Sequence, residues 1–335
     1  MALDPSRIPN LIADFGLTPM LAGYSAEPTV RDRVFAVKPI DPNGSEFGWR
    51  ETVVVGDNIP KETLVGENAP ERIATEGYVA YGKQRKLSQR MVIPEEIWKS
   101  PSAEGTIKSM IMDRFGAWAQ GFQVAKERAA ASVFLRGCIA AGDPAVFNGS
   151  YGGPSGAVDP NIGFILDGKP FFAASGNGHP LFLSSAATPF NLITSAPLSA
   201  TTLETARVAI TSTNAVDDMN NPIVVTPDTL LVPPGLQQTA EVLVGSIQQP
   251  GTAQNDINTA RGRYNVVVWR YLTDVDGWFI GKAGQGAVFC DSGDPTIETS
   301  LPDPANGNIT VRMISYYGHY VRDWRYWFAN NIASS

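Results

Sequence analysis

Residues 102–136 have the sequence SAEGTIKSMIMDRFGAWAQGFQVAKERAAASVFLR, and this stretch decides the fold. Apolar residues recur in it at steps of three and four, a spacing that predicts a helix with one buried face. They are Ile107, Ile111, Phe115, Trp118, Phe122, Ala125, Ala129 and Val133. Ser100 offers a capping side chain, Pro101 suits a first helical position, and Gly137 offers a stop. At 1.5 Å per residue this helix is about 50 Å long, longer than a small domain is wide.

The region before the helix has little core of its own. Residues 1–36 are aperiodic and contain four prolines, which predicts an extended arm. Residues 45–93 hold two strand-like stretches, Trp49–Val55 and Tyr78–Ile93, around a turn-rich middle, so they predict a projecting hairpin. Because a lone hairpin is marginal in water, contact with another chain would account for its persistence. The pattern indicates a subunit that is joined to copies of itself.

A mixed α/β region follows a glycine- and proline-rich loop over 142–180. Ser199 or Thr201 is placed to cap a helix through about Ser212, and a second helix is predicted over 236–247. The predicted strands are 222–232 with a break at Pro227, 264–272, 278–280 and 287–290.

The tail over 309–328 is the richest aromatic stretch of the chain. Alternation at its start predicts a strand. Trp324 and Trp327 need a large apolar surface, so we expect them to return and pack on Phe115, Trp118 and Phe122 of the long helix.

Composition and charge exclude several classes of protein. The 335 residues are 43% hydrophobic, enough for two modest domains, and no run approaches the roughly 18 apolar residues that span a bilayer. The start of the chain lacks the apolar block of a signal peptide, so we expect a soluble protein made in the cytoplasm. Cys138 and Cys290 lie far apart without a neighbouring histidine or cysteine, which indicates reduced thiols.

The net charge of -7 is unevenly distributed. Residues 31–136 hold 16 basic and 14 acidic side chains, whereas residues 137–335 hold 9 and 16. A protein that grips nucleic acid by its phosphates has a basic face, so the second half is not expected to bind duplex DNA directly. The dense mixed charge of the first half fits either a solvated surface or a network of ion pairs between subunits.

No residue pattern in the chain predicts catalysis, a cofactor or a metal. His179 has no G-x-S-x-G elbow to supply a nucleophile, and it is expected to be a loop histidine hydrogen-bonded to backbone. The stretch 284–286 is too short to cradle a phosphate, and the aspartate pairs 217–218 and 274/276 lack the other ligands of a calcium loop. We predict that the protein is not an enzyme.

The order of arm, charged hairpin, long helix, α/β region and returning strand resembles the major capsid protein of tailed bacteriophages, the Hong Kong 97 fold. Local sequence resembles the Mu-like major head subunits of that group. The strings that carry the resemblance are DGKPFF at 167–172, GNGH at 176–179, NPIVVTP at 221–227, LVPP at 231–234 and AEVL at 240–243. The resemblance covers about residues 45–330; the hairpin and arm match by order and length only.

The resemblance implies an α+β capsid fold with five parts. These are an N-terminal arm (1–36), an E-loop hairpin (37–93), a peripheral domain (94–198) with a spine helix (101–137) and following loop, an axial α/β domain (199–300), and return strands of the peripheral domain (301–335). Charged residues of the hairpin region would then lie where subunits overlap. They are Arg50, Lys61, Glu62, Glu67, Glu71, Arg72, Lys83, Arg85 and Lys86.

The implied function is a major capsid protein that assembles itself, as pentamers and hexamers, into the icosahedral or prolate shell around a double-stranded DNA genome. Scaffolding, portal and decoration proteins are the implied partners, the packaged DNA is held without sequence-specific contact, and no membrane is involved. The protein would be located in the virion after assembly in the host bacterial cytoplasm. Two alternatives stay open: an encapsulin-like non-viral compartment, and a soluble hydrolase with an unrecognised site around His179.

Overall fold

The computed structural model describes residues 18–25, 28–40, 48–55, 75–100, 102–138, 169–185, 187–249 and 257–332, and the single residues 63, 68 and 167. Its helices are α1 (18–25), α2 (Arg31–Val34), α3 (Glu95–Trp98), α4 (Ala103–Leu135), α5 (Ala200–Val208) and α6 (Gln237–Gly245). Its strands are β1 (Ala36–Pro39), β2 (Gly48–Val55), β3 (Thr75–Lys83), β4 (Arg85–Ile93), β5 (Leu192–Ile193), β6 (Thr229–Val232), β7 (Asn265–Val268), β8 (Trp278–Gly281), β9 (Ala287–Asp291), β10 (Thr296–Thr299), β11 (Ile309–Val321) and β12 (Trp327–Asn330).

The long helix α4 confirms the prediction from periodicity and is about 50 Å long at 1.5 Å per residue. Its start differs from the expectation, because Ser102 rather than Ser100 occupies the N-cap position and makes no side-chain capping hydrogen bond. Instead, the backbone amide of Ser102 donates to Ser100 Oγ at 3.4 Å. Tertiary packing therefore holds the first turn, as the weak helix propensity of this stretch requires.

The buried face of α4 departs from the predicted stripe in its middle. Ile107, Ile111 and Phe115 are fully buried as predicted. Phe122, Ala129 and Val133 are also buried as predicted, but Trp118 and Ala125 are only partly buried, and Ala119 and Lys126 are buried in addition. A helix has 3.6 residues per turn, so the next inward position lies either three or four residues further along. In the structure one of these inward positions is a lysine.

Two glycines let α1 lie against α4 at backbone distance. A Cβ built on Gly23 would lie 2.1 Å from the carbonyl oxygen of Gly116, and one built on Gly116 would lie 3.3 Å from the carbonyl oxygen of Pro19. Gly116 is therefore a packing contact, not only a weak point of the helix. Gly121 is different, because a Cβ there would meet nothing within 4 Å.

We expect opposite effects from alanine at these two kinds of position. Gly121→Ala should raise the free energy of unfolding by about 0.5–1 kcal/mol, because alanine has the higher helix propensity and the methyl group has space. Gly23→Ala should lower it, because its Cβ would collide with backbone. Chemical denaturation of dissociated subunits measures both. Equal effects of the two substitutions would contradict this account of the α1–α4 contact.

The first sheet is built around β11. Strand β4 pairs with one edge of it, antiparallel, and β9 and β10 pair with the other edge, also antiparallel. Strand β1 extends this sheet by pairing with β9 in parallel, and it has no described strand on its other edge. Buried Met91, Ile93, Ile309, Val311 and Met313 from β4 and β11 pack on the first two thirds of α4.

The second sheet has the strand order β5, β12, β8, β6, β7. Strand β8 is antiparallel to both its neighbours, β12 and β6. The outer strands are parallel to the strands they pair with, β5 to β12 and β7 to β6. Helices α5 and α6 cover it through Leu203, Ala206, Ala240 and Val244. Ser199 caps α5 as predicted, in a capping box with Thr202. The strand predicted over 222–232 is regular only from Thr229, since prolines cannot donate to a ladder.

Strands β2 and β3 form an antiparallel two-stranded sheet, which confirms the predicted hairpin. The stretch predicted as one strand, Tyr78–Ile93, is two strands separated at Gln84. Strand β4 leaves the hairpin because its alternate residues Met91 and Ile93 are buried against the α4 core, and it pairs with β11 instead. The hairpin therefore ends at Lys83.

The tail divides between the two sheets. Strand β11 returns to α4 as expected, but Trp324 and Trp327 do not pack on Phe115, Trp118 and Phe122. They pack at the other end of α4, where the ring of Trp327 lies edge-on to Phe134 at 5.0 Å. A helix of this length spans two separate cores, and β12 follows the second. Strand β9, which belongs to the predicted axial part (199–300), lies in the first sheet, and β12, which belongs to the predicted return strands (301–335), lies in the second sheet.

Candidate functional site

Four of the nine predicted subunit-contact residues are described by the structure, and they lie on three strands. Arg50 lies on β2 and Lys83 at the end of β3. Arg85 and Lys86 lie on β4, outside the hairpin, and the Lys86 ammonium is 6.0 Å from the ring centroid of Tyr316. Lys61, Glu62, Glu67, Glu71 and Arg72 lie outside the described residues.

The hairpin is tied to the subunit by Glu51, a residue that sequence reasoning missed. The carboxylate of Glu51 accepts a hydrogen bond from Tyr320 Oη at 2.7 Å. It also pairs with Lys38 Nζ at 3.3 Å and with Arg322 Nε at 3.2 Å. These four residues, here called the hairpin base, join β2 to β1 and to the end of β11. The far end of the described hairpin is different, because Thr75 and Glu76 are exposed.

The hairpin base holds Glu51 in its ionised form. Burial opposes ionisation, but the hydrogen bond from Tyr320 and the charges of Arg322 and Lys38 outweigh it and lower the pKa of Glu51 below its usual 4.5. The pKa of Tyr320 is raised, first by burial and then by its bond to Glu51. The tyrosine therefore stays a hydrogen-bond donor at every physiological pH.

The attachment of the hairpin should depend on pH with a definite sign. Because the pKa of Glu51 is lower in the folded than in the unfolded chain, its stabilising contribution is full above about pH 4.5 and is lost as the pH falls through the folded value. We expect Glu51→Gln to lose amide-exchange protection in β2 and β3 relative to wild type above pH 4.5, and the difference to vanish well below it. Glu96→Gln, at an exposed position of α3, is the control. A difference that did not change with pH would contradict the assignment.

A second group of charges is buried where α2, α4 and β9 meet; we call it the ionic cluster. Asp291 pairs with Arg31 Nη2 at 2.6 Å and with Lys126 Nζ at 2.5 Å. Lys126 also donates to Tyr24 Oη at 2.9 Å. Glu127 accepts from the indole nitrogen of Trp269 at 2.9 Å. The cluster fixes the segment before β1 to the long helix and to the first sheet.

Burial perturbs both neighbouring charges of α4. It lowers the pKa of Lys126, although Asp291 opposes the shift, and it raises the pKa of Glu127. Lys126 and Glu127 interrupt the apolar stripe in sequence as any exposed pair would. Lys126 and Glu127 follow Phe122 and Gln123 by four residues, and residues four apart lie on the same face of a helix. This spacing is the sequence feature that indicates their inward position.

His179 is built into the packing rather than presented to a ligand. Its Nδ1 lies 2.6 Å from Asp167 Oδ2 and its Nε2 lies 3.3 Å from Asn191 Oδ1. Its ring stacks on Trp324 with centroids 4.3 Å apart. The expected bond to backbone is made by the main-chain amide of His179, which donates to the Pro189 carbonyl, whereas the ring nitrogens lie beside side-chain oxygens. The space beside this ring is too small for a water molecule.

The described part of the chain has neither a metal-binding cluster nor a membrane-spanning helix. Within it, no group of three or more histidine, cysteine, aspartate or glutamate side chains is placed to hold a metal ion. No helix in these ranges is long and apolar enough to cross a bilayer.

Solved structures resemble this chain at low sequence identity. The protein of Mycobacterium phage Patience is 8% identical and matches with a TM-score of 0.52 over 99% of this chain and 88% of that one. The capsid of cyanophage P-SCSP1u matches at 14% identity and a TM-score of 0.46, over 92% and 89% of the two chains. A virus-like particle from Pyrococcus furiosus matches at 8% and 0.43, over 95% and 98%. The α+β fold of the chain is of the Hong Kong 97 type.

The sequence itself matches the phage capsid protein family over residues 106–330. The chain belongs to this family, and it is a major capsid protein of the tailed-phage type that assembles into the shell of the virion. A search of curated proteins gave no match. The family match favours this function over the encapsulin-like compartment and the soluble hydrolase.

Proposed function

We propose that the hairpin of this capsid protein contacts the neighbouring subunit and carries the shell-forming charges. The observation that supports this is that β2 and β3 pair only with each other among the described strands, although Tyr78 of β3 packs against Phe182. Their base is fixed to the subunit through Glu51 and through buried Ala80, whereas Thr75 and Glu76 at the far end are exposed. Because a two-stranded sheet alone is marginal in water, its outer part requires a partner surface.

The five predicted parts of the chain take roles in this scheme. The hairpin of the E-loop, β2 and β3, reaches across to neighbours, and the peripheral domain with its spine helix forms the wall of the capsomer. The described arm residues differ from the expected extended arm, because 18–25 and Arg31–Val34 are helical and Met20 and Gly23 pack on α4 of the same subunit. The axial domain (199–300) meets its copies around the five- and six-fold axes, and the return strands close the peripheral domain. Arg50, Lys61, Glu62, Glu67, Glu71, Arg72 and Lys83 are the hairpin charges that we place in the overlap between subunits.

The remaining partners follow from the same scheme. The net charge of -7 suits a shell that confines DNA without adhering to it, so the genome is enclosed without sequence-specific contact. Separate scaffolding, portal and decoration proteins complete the particle, and assembly takes place in the host bacterial cytoplasm. The role of the chain is structural, and we assign it no reaction.

Charge reversal in the hairpin tests the proposal. The double variant Lys61→Glu with Arg72→Glu should raise the protein concentration required for shell assembly by at least about tenfold, because each shell repeats the lost contacts many times. The matched control reverses Arg114 and Arg261, two exposed arginines of α4 and of the loop after α6. Sedimentation measures shells against subunits, and circular dichroism shows whether the dissociated subunits stay folded.

The control separates a specific contact from a general charge effect. We expect the Arg114→Glu, Arg261→Glu variant to assemble at close to the wild-type concentration. Equal assembly by the hairpin variant and wild type would overturn the proposed role of these charges.

A further inference from the structure

A cavity of about 920 Å³ lies beside the ionic cluster, and Tyr24, Arg31 and Asp291 of the cluster form part of its lining. It opens between α1, the start of β1, α4 and the end of β9. Its lining combines apolar groups of β1 with polar groups of the other elements: Val37, Pro39 and Ile40, then Tyr24, Arg31, Gln123 and Asp291. It is large enough for several residues of an extended chain.

Two buried polar atoms at this cavity have no hydrogen-bond partner in the described part of the chain. They are Arg31 Nη1, a donor, and Gln123 Oε1, an acceptor. Both residues are almost fully buried, at 3% and 2% exposure, and the other nitrogens of the Arg31 guanidinium are paired with Asp32 and Asp291. Leaving such atoms unpaired costs about 1–3 kcal/mol each, so a bound group that satisfies both is favoured.

Strand β1 lines this cavity and has one edge with which no described strand pairs. The amide of Ile40 donates to the Asp291 carbonyl at 2.9 Å, so alternate residues Lys38 and Ala36 also direct their backbone groups to β9. Val37 and Pro39 then direct theirs away from β9, and the Val37 side chain is 46% exposed. Because proline has no amide hydrogen, its place on this edge leaves no orphan donor, as is usual for an edge strand. An extended segment can pair with this edge.

The charge around the cavity selects a neutral, dipolar occupant. Arg31 and Lys126 carry two positive charges and Asp32, Glu127 and Asp291 carry three negative ones. A free anion would meet a net negative surrounding, and a cation would meet the unpaired Arg31 nitrogen. A peptide group fits, because its carbonyl accepts from Arg31 Nη1 and its amide donates to Gln123 Oε1.

We propose that this cavity is a socket for an extended segment of a second copy of the chain, held through its backbone between β1, Arg31 and Gln123. The inference rests on the capsid function. Every subunit carries one socket, and a shell built from one chain supplies one copy of the matching segment to each. The buried unpaired atoms of the separate subunit are then paired in the shell.

Photo-crosslinking from the cavity tests the proposal. The photoreactive residue p-benzoylphenylalanine is placed at position 37, where Val37 is half-exposed, and assembled shells and dissociated subunits are irradiated. We expect a product of twice the subunit mass from shells and none from subunits, with mass spectrometry mapping the bond to a second copy. A bond within the same subunit, a bond to a different protein, or no product from shells would overturn the proposal.

A substitution at Gln123 supplies a second measurement that does not depend on the probe. Gln123→Met should raise the concentration required for assembly about fivefold, the effect of about one lost hydrogen bond per contact. It should leave the melting temperature of dissociated subunits unchanged or higher, because the lost oxygen has no partner there. Gln120→Met, at an exposed position of the same helix, is the control. Assembly of the Gln123 variant at the same concentration as this control would count against the socket.

If the hairpin charges prove irrelevant while position 37 still crosslinks to a second copy, the socket stands without the proposed hairpin contact.

Discussion

Asp291→Asn lowers the free energy of unfolding of the subunit by about 3–5 kcal/mol, the largest single effect that we expect. The carboxylate is buried and pairs with both Arg31 and Lys126, which are themselves 3% and 0% exposed. Asparagine keeps the size of the side chain but leaves two buried cations without their shared anion. Chemical denaturation of dissociated subunits, followed by tryptophan fluorescence, measures the loss.

A surface pair is the matched control for Asp291. Glu298→Gln removes one partner of Arg312 where both side chains are about half exposed. Solvent screens that pair, so we expect a loss of at most about 1 kcal/mol. Similar losses from the two substitutions would show that the ionic cluster does not hold the segment before β1 to the long helix.

Phe134→Ala lowers the free energy of unfolding by about 3–5 kcal/mol through a different mechanism, the loss of core packing. Phe134 is fully buried at the end of α4. Its ring contacts others from before and after the long helix: Phe35, Phe171, Phe172, Trp269, Phe279 and Trp327. No single neighbour can fill the space that its removal leaves, because each is held by its own strand or loop.

The loss of packing at Phe134 should affect the second sheet as well as the long helix. Trp269 and Trp327 lie beside Phe134, and β12 carries Trp327 into the second sheet. We therefore expect faster amide exchange in β12 as well as in the last turns of α4. Phe182→Ala, at a ring that is 39% exposed, is the control and should cost about 1 kcal/mol or less. Loss of protection in α4 alone would contradict the shared core.

Sequence periodicity predicted the elements of this protein better than their partners. The long helix, the capped helix at Ser199 and the hairpin all depend on local spacing, and all were found. The break at Gln84 was missed, because residues 75–83 and 85–93 have the same alternating character. Only the choice of partner strand, β2 or β11, separates them, and that choice depends on contacts distant in sequence.

The candidate sites were harder to predict for a related reason. Charge counts left open whether the charges of the first half form a solvated surface or ion pairs between subunits, because a buried Lys126 and an exposed Lys86 have the same sequence signature. Glu51 and Asp291 became visible only once their strands were placed beside Tyr320, Arg322 and Lys126. The tail prediction failed similarly, because a helix of about 50 Å offers two apolar surfaces and periodicity cannot say which one Trp327 meets.

Cryo-electron microscopy of the expressed chain under assembly conditions tests the central claim most directly. We expect closed shells built from five- and six-membered rings, with the hairpin of each subunit lying on its neighbour and the Val37 edge covered by a second copy. A stable monomer under those conditions, with sedimentation showing no larger species, would contradict the capsid account.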